Sequence, residues 1–238
     1  MAELLRTSGL TKRFRGLVAN EDIEFTLDAG AVHCVIGPNG AGKTTFLSMI
    51  SGHLPPSAGT ISYKEKDITA LSVAERARIG IGRKFQTPTV FENLTVWQNI
   101  ELAVLRPGGS AGAPAAKIAD VLEAIRLTDE VDTLVRHLSH GQRQWLEIGL
   151  LLGNESELLL LDEPTAGMTA EETAATGELV SHLAHERSLS VIIIEHDINF
   201  IRDLRAPVTV LHLGRILKQG PFDVIAADEQ VREVYLGS

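Results

Sequence analysis

Three things are scarce in this chain of 238 residues. Cysteine occurs once, as Cys34. No internal disulfide can form, so a reducing cytosol is the expected setting. Cys34 lies in an apolar run and reads as a small buried hydrophobe. Long hydrophobic runs are missing: none approaches the ~20 residues that cross a bilayer. The first residues, Met1-Ala2-Glu3-Leu4-Leu5-Arg6, lack the apolar core of a signal peptide. Any tie to a membrane is therefore expected to run through a partner. Positive charge is also short, with 22 basic residues against 31 acidic and a net charge of −9. A phosphate-backbone binder needs a basic surface, so nucleic acid is not an expected partner. No internal repeat is visible. The length suits one α/β domain with an insertion, or two small lobes, and can bury a core without staples.

What the chain does have is Gly37-Pro38-Asn39-Gly40-Ala41-Gly42-Lys43-Thr44, followed by Thr45. This is G-x-x-x-x-G-K-[ST], a phosphate-binding loop. Its glycines let the backbone curl and approach a ligand closely. Successive N–H groups then form a concave anion site, reinforced by the positive end of the following helix. Lys43 brings a full charge to the outer phosphates, and the Thr44 hydroxyl can ligate Mg²⁺. The flanks agree: residues 31–36 read as a buried strand and residues 45–50 as the start of a helix.

Other elements follow from periodicity and turn chemistry. Residues 4–12 and 23–27 read as strands, and 60–63 as a short one. Residues 79–85 form a strand, and Gln86 follows it before a break at Thr87-Pro88. Residues 96–105 and 117–127 are helical, separated by a glycine- and proline-rich surface loop at 106–114. Residues 158–161, four leucines, suit a parallel strand covered on both faces. A helix at 171–186, a buried strand at 191–194, a hairpin within 209–218 and a helix at 228–236 complete the chain.

Several residues stand where chemistry is expected. Asp162 and Glu163 end the strand at 158–161, where open parallel sheets bind ligands. Asp162 is suited to hold Mg²⁺, and Glu163 to orient or deprotonate an attacking water. His196 follows the strand at 191–194 and can donate to a terminal phosphate. Gln86, after the strand at 79–85, can touch Mg²⁺ or the attacking water. Phe14, near a turn upstream of the loop, either packs in the core or stacks on a nucleobase. In Leu138-Ser139-His140-Gly141-Gln142, Ser139 can cap a helix and Gly141 permits close approach. That helix start reads either as a simple cap or as a second anion site for a phosphate held by another subunit.

With these motifs in this order, the chain resembles the nucleotide-binding subunit of ATP-binding-cassette transporters. Residues 37–44 match Walker A, 158–162 Walker B, and Glu163 its catalytic glutamate. Gln86 matches the Q-loop, His196 the H-loop and Phe14 the A-loop aromatic. Residues 138–142 match the LSGGQ signature, with His140 in place of its first glycine. After Glu163-Pro164-Thr165 the family often has Ser-Ala-Leu-Asp; here Ala166-Gly167-Met168-Thr169 stands instead, without the aspartate. The resemblance implies an α/β fold: a P-loop NTPase core with a RecA-like mixed sheet and N-terminal antiparallel strands, plus an inserted helical subdomain. Residues 1–238 then form a single nucleotide-binding domain. Its α/β core is 1–87 and 153–238, and its helical subdomain is 88–152. The resemblance further implies ATP and Mg²⁺ as cofactors, and two subunits closing around two ATP molecules. Each nucleotide would meet Ser139, Gly141 and Gln142 of the opposite chain. The implied setting is peripheral, on the cytoplasmic face of the inner membrane, against permease subunits served by a periplasmic solute-binding protein. More narrowly, Gly167-Met168 and Tyr235-Leu236-Gly237 look like branched-chain amino acid importer ATPases. Residues 82–92 and 138–149 look like the urea importers of that group, so urea is the expected solute. Branched-chain amino acids are the alternative, followed by a soluble, non-transport cassette ATPase.

Overall fold

The computed structural model describes residues 2–84, 90–105 and 114–236. Gln86 and the Thr87-Pro88 break lie outside the described residues, as does most of the 106–114 loop. The chain opens with β1 (Glu3–Phe14), β2 (Leu17–Asp28) and β3 (Val32–Ile36), then α1 (Lys43–Ile50). It continues through β4 (Ala58–Tyr63), β5 (Lys66–Asp67), α2 (Val73–Arg78) and β6 (Ile81–Lys84). Three helices follow: α3 (Val96–Val104), α4 (Pro114–Ala124) and α5 (His140–Gly153). The remainder is β7 (Leu158–Asp162), α6 (Ala170–Arg187), β8 (Ser190–Ile194), α7 (Ile198–Asp203), β9 (Pro207–His212), β10 (Arg215–Pro221), α8 (Phe222–Ala227) and α9 (Glu229–Leu236).

Two sheets form. One is antiparallel in the order β2-β1-β4-β5; the other runs β10-β9-β3-β8-β7-β6 and is parallel except for the β9–β10 hairpin. The fold is therefore a mixed α/β P-loop NTPase core with antiparallel N-terminal strands and a cluster of helices between β6 and β7. The period-two geometry of strands explains how one short run serves two cores. All five residues of β7 are buried. Leu158 and Leu160 face α1 and the antiparallel sheet, packing with Phe46, Leu47 and Ile61. Leu159 and Leu161 face the other way, into a cluster that holds Ile100, Val121, Ile148 and Leu179. β8 divides likewise, with Ile192 and Ile194 on the first side and Val191 and Ile193 on the second. Cys34 packs with Val208, Ile225 and Val231 in a third cluster, and burial pushes its thiol up to about 12.

The strand expected at 79–85 starts later, because Ile79 caps α2 and Gly80 turns the chain before β6 begins. The helix expected at 117–127 starts earlier, at Pro114, a residue suited to a first helical turn. Helices α2, α7 and α8, six residues each, were not legible as periodic segments. Tertiary bonds explain α2: its Arg76 is buried and donates to Met49 O and Ile50 O at the C-terminal end of α1. Those carbonyls have no partner within their own helix.

Candidate functional site

The loop after β3 delivers a helix whose first N–H groups are left for a ligand. Gly42, the N-cap residue of α1, has φ +101, and no side chain caps the helix. By contrast α2, α3, α5 and α6 each start with a complete capping box. A Cβ on Gly42 would lie 2.4 Å from Ala19 O, so only glycine fits this turn against β2. Lys43 Nζ donates to Gly37 O at 2.7 Å and Pro38 O at 3.1 Å, bracing the loop from inside. Burial lowers the Lys43 pKa, opposed by the charges of Glu163 and Asp162. Gly37 N–H donates to the Tyr235 hydroxyl at 2.6 Å, and burial pushes that phenol up to about 12.

A cavity of about 450 Å³ opens over the loop, lined by Phe14, Leu17, Val18, Ala19, residues 39–45 and Glu163. Asn39, Gly40, Ala41, Gly42, Lys43, Thr44 and Thr45 thus share one wall, and Phe14 flanks it, 40% exposed. Phe14 takes the rim position and not the core position. The lining suits a ligand with an anionic end and an apolar, stackable one. A second cavity, of about 500 Å³, lies between β4–β5 and α2, beside Tyr63, Arg78 and Glu157, and contains none of the anticipated site residues.

Asp162 ends β7 only 2% exposed. Its Oδ2 accepts from Arg83 at 3.2 Å, while its buried Oδ1 has no protein partner. Burial raises the Asp162 pKa; the Arg83 guanidinium, next in size, and the Thr44 hydroxyl oppose this. A buried, half-satisfied carboxylate beside a hydroxyl is a donor set that suits a small hard cation. Among the described residues no three His, Cys, Asp or Glu side chains cluster as a metal site. A cation at Asp162 and Thr44 would therefore take its other oxygens from its ligand and water.

Glu163 has φ +51 and donates its N–H to Ile194 O at 2.9 Å, which fixes the strand-end turn. Its Oε1 lies 3.1 Å from His196 Nε2, so the ends of β7 and β8 bring the two residues together. Both side chains are about a third exposed (30% and 38%), and Glu163 lines the cavity over the loop. The Glu163 carboxylate and the Lys43 ammonium line one pocket, and the His196 imidazole lies beside the carboxylate, a set of groups that suits transfer of a phosphoryl group to water.

Ser139, Gly141 and Gln142 do not line that cavity. Ser139 caps α5 through Gln142 N–H, and Gln142 Oε1 accepts from Ser139 N–H at 2.9 Å. Glu172 of α6 lies across this helix start, accepting from Ser139 Oγ at 2.9 Å and Gly141 N–H at 3.1 Å. The Thr169 N–H first, then Ser139 and Gly141, hold its carboxyl below the usual range. Within one chain, then, a carboxylate already lies at this helix start. His140 Nε2 lies 2.9 Å from Ala166 O and joins α5 to the turn after Glu163. Arg83, Tyr235, Glu172 and Glu195 all contact site residues and were not singled out as site groups from sequence. Only the S/T-x-x-E/Q pattern at Thr169–Glu172 offered a local signal, and that signal was for a helix cap.

Residues 20–166 match the ABC transporter family model. The chain is 32% identical to the high-affinity branched-chain amino acid transport ATP-binding protein LivG of Salmonella typhimurium, covering 98% of each. It is 31% identical to the corresponding BraF of Pseudomonas aeruginosa, again over 98% of each. It is also 34% identical to the lipopolysaccharide export system ATP-binding protein LptB of Acidithiobacillus ferridurans, over 100% of this chain and 98% of that one. Among solved structures, the ADP conformation of an ATP-binding cassette of an ABC transporter superposes with a TM-score of 0.90 at 28% identity, each chain fully covered.

Proposed function

The chain belongs to the ABC transporter family and is an ATPase, and from that premise we propose that it powers uptake of branched-chain amino acids through permease subunits. The full-length likeness to LivG and BraF carries this reading of the solute. Residues 82–92 and 138–149 favour urea as a second reading. The likeness to LptB makes the direction of transport part of the test. Among the described residues no helix is long and apolar enough to cross a membrane, in keeping with a peripheral subunit.

In the proposed mechanism Phe14 stacks on the adenine, and the loop of residues 37–45 holds the phosphates through Lys43 and the backbone N–H groups that follow Pro38. Thr44 and Asp162 would hold Mg²⁺, which offsets phosphate charge when bound. Gln86 is assigned to the same ion or to the attacking water. Glu163 orients and deprotonates the water, and His196 donates to the γ-phosphate while it pairs with Glu163. Ser139, Gly141 and Gln142 meet the nucleotide of a second ATPase subunit, on exchanging Glu172 for its phosphate. Residues 88–152 form the lobe that carries this contact and faces the permease, with a periplasmic solute-binding protein supplying the solute.

Deleting the gene should abolish uptake of labelled leucine at low micromolar concentration and leave labelled urea uptake intact. The reverse result would move the assignment to urea. Intact uptake of both, with a defect in the cell envelope, would move it to export.

A further inference from the structure

Glu195 follows β8 and is only 3% exposed. A buried carboxylate is costly unless its oxygens are bonded. Here the donors come from two separate loops. Oε1 accepts from Thr165 N–H at 2.9 Å and from the Thr165 hydroxyl. Oε2 accepts from His196 N–H at 2.9 Å and approaches Asp197 N–H at 3.5 Å. Thr165 lies two residues beyond Glu163, and His196 adjoins Glu195 itself. The same two turns are also joined by Glu163 N–H to Ile194 O, and by Glu163 to His196 at 3.1 Å. Glu163 meanwhile holds a positive φ of 51°, a conformation that lasts only where the surroundings impose it.

We propose that Glu195 is a positioning residue for hydrolysis: its buried carboxylate clamps the turn after β7 to the turn after β8, and so fixes Glu163 against His196. Its side-chain bonds are to Thr165, His196 and Asp197, and it acts on hydrolysis through that clamp. An anion is needed because four N–H or O–H groups converge on two oxygens. Bonds to a charged acceptor are short and strong. A glutamine amide keeps the volume but replaces one acceptor with a donor, so one of the two loops is released. The inference rests on the ATPase reading above.

The test measures ATP turnover, the affinity for a fluorescent ATP analogue and the thermal midpoint in the full chain. Glu195→Gln should lower kcat by at least about tenfold while KM and analogue affinity stay within about threefold, as expected when only transition-state geometry is lost. Thr165→Val should lower kcat in the same way, and Thr165→Ser should restore what Thr165→Val loses. The pair Glu195→Gln with Thr165→Val should be no worse than Glu195→Gln alone, since both break one clamp. Wild-type kcat in a folded Glu195→Gln would overturn the inference, as would a loss confined to KM or one that simply follows the thermal midpoint. If Glu195→Gln does not fold, wild-type kcat in Thr165→Val overturns it instead. Glu163→Gln, run in parallel, should bind the analogue and lose turnover. Full turnover in that variant overturns the catalytic reading and this inference with it; lost turnover there, with full turnover in Glu195→Gln, overturns the inference alone.

Discussion

Lys43 holds two carbonyls of its own loop, Gly37 O and Pro38 O, from a buried position. One residue thus shapes the loop and, in the proposed mechanism, supplies the charge that a phosphate would meet there. Lys43→Ala removes both, and should weaken binding of a labelled ATP analogue at least about tenfold, the scale of a lost charge-assisted bond. Unchanged affinity in a titration would mean that the loop binds no phosphate. The roles of Asp162 and Glu163 also separate at this scale. Adjacent carboxylates differ because one points into a buried cleft beside Arg83 and the other toward the open pocket beside His196. Two neighbouring acids in the sequence suggest a site, but only these partners distinguish the candidate ion holder from the candidate base.

At the scale of elements, helix caps fix where the helices begin. Thr95 and Ser139 cap α3 and α5 with the same geometry, each accepting the N3 N–H while the N3 glutamine reaches back. Thr95→Ala should cost about 1 kcal/mol of stability, as cap removal commonly does. A urea melt should show a lower midpoint with an unchanged slope, and Thr95→Ser should restore it. No loss would mean that the Thr95 bond adds nothing to α3. The four capping boxes are readable as S/T-x-x-E/Q pairs. That α1 alone of these five helices lacks a capping side chain is equally readable, since Gly42 stands where Ser or Thr stands elsewhere. The contact of Glu172 with the start of α5 is not readable, because it needs α5 and α6 side by side.

At the scale of the molecule, the donors at the start of α5 lie outside the pocket of their own chain, and Glu172 covers them. A second subunit is the natural source of an anion for that position. Ser139→Arg places a bulky cation there. It should leave analogue binding to the isolated chain intact and reduce ATP turnover of the assembled transporter to a few per cent or less, as roughly 2 kcal/mol or more of lost transition-state stabilisation implies. Equal loss of binding in the isolated chain would show that the start of α5 does not act on a partner's nucleotide.

The sequence by itself determined what depends on neighbours in the chain. The glycine spacing of residues 37–44 sets a curled backbone, and the apolar runs before Asp162, Glu195 and the loop set buried parallel strands whose ends share one edge. That was enough to predict an α/β class, the phosphate loop and the acid-rich strand end; the sheet arrangement and the helical subdomain were implied by the family resemblance. The tertiary structure decided which distant groups meet. Arg83 reaches Asp162 across 79 positions, Tyr235 reaches Gly37 across 198, and Glu195 reaches Thr165 across 30. Neither propensity nor periodicity encodes such pairs. Strand order puts β6, β7 and β8 side by side and brings α9 back under the first loop, and hydrogen-bond satisfaction of buried polar groups then selects the partners.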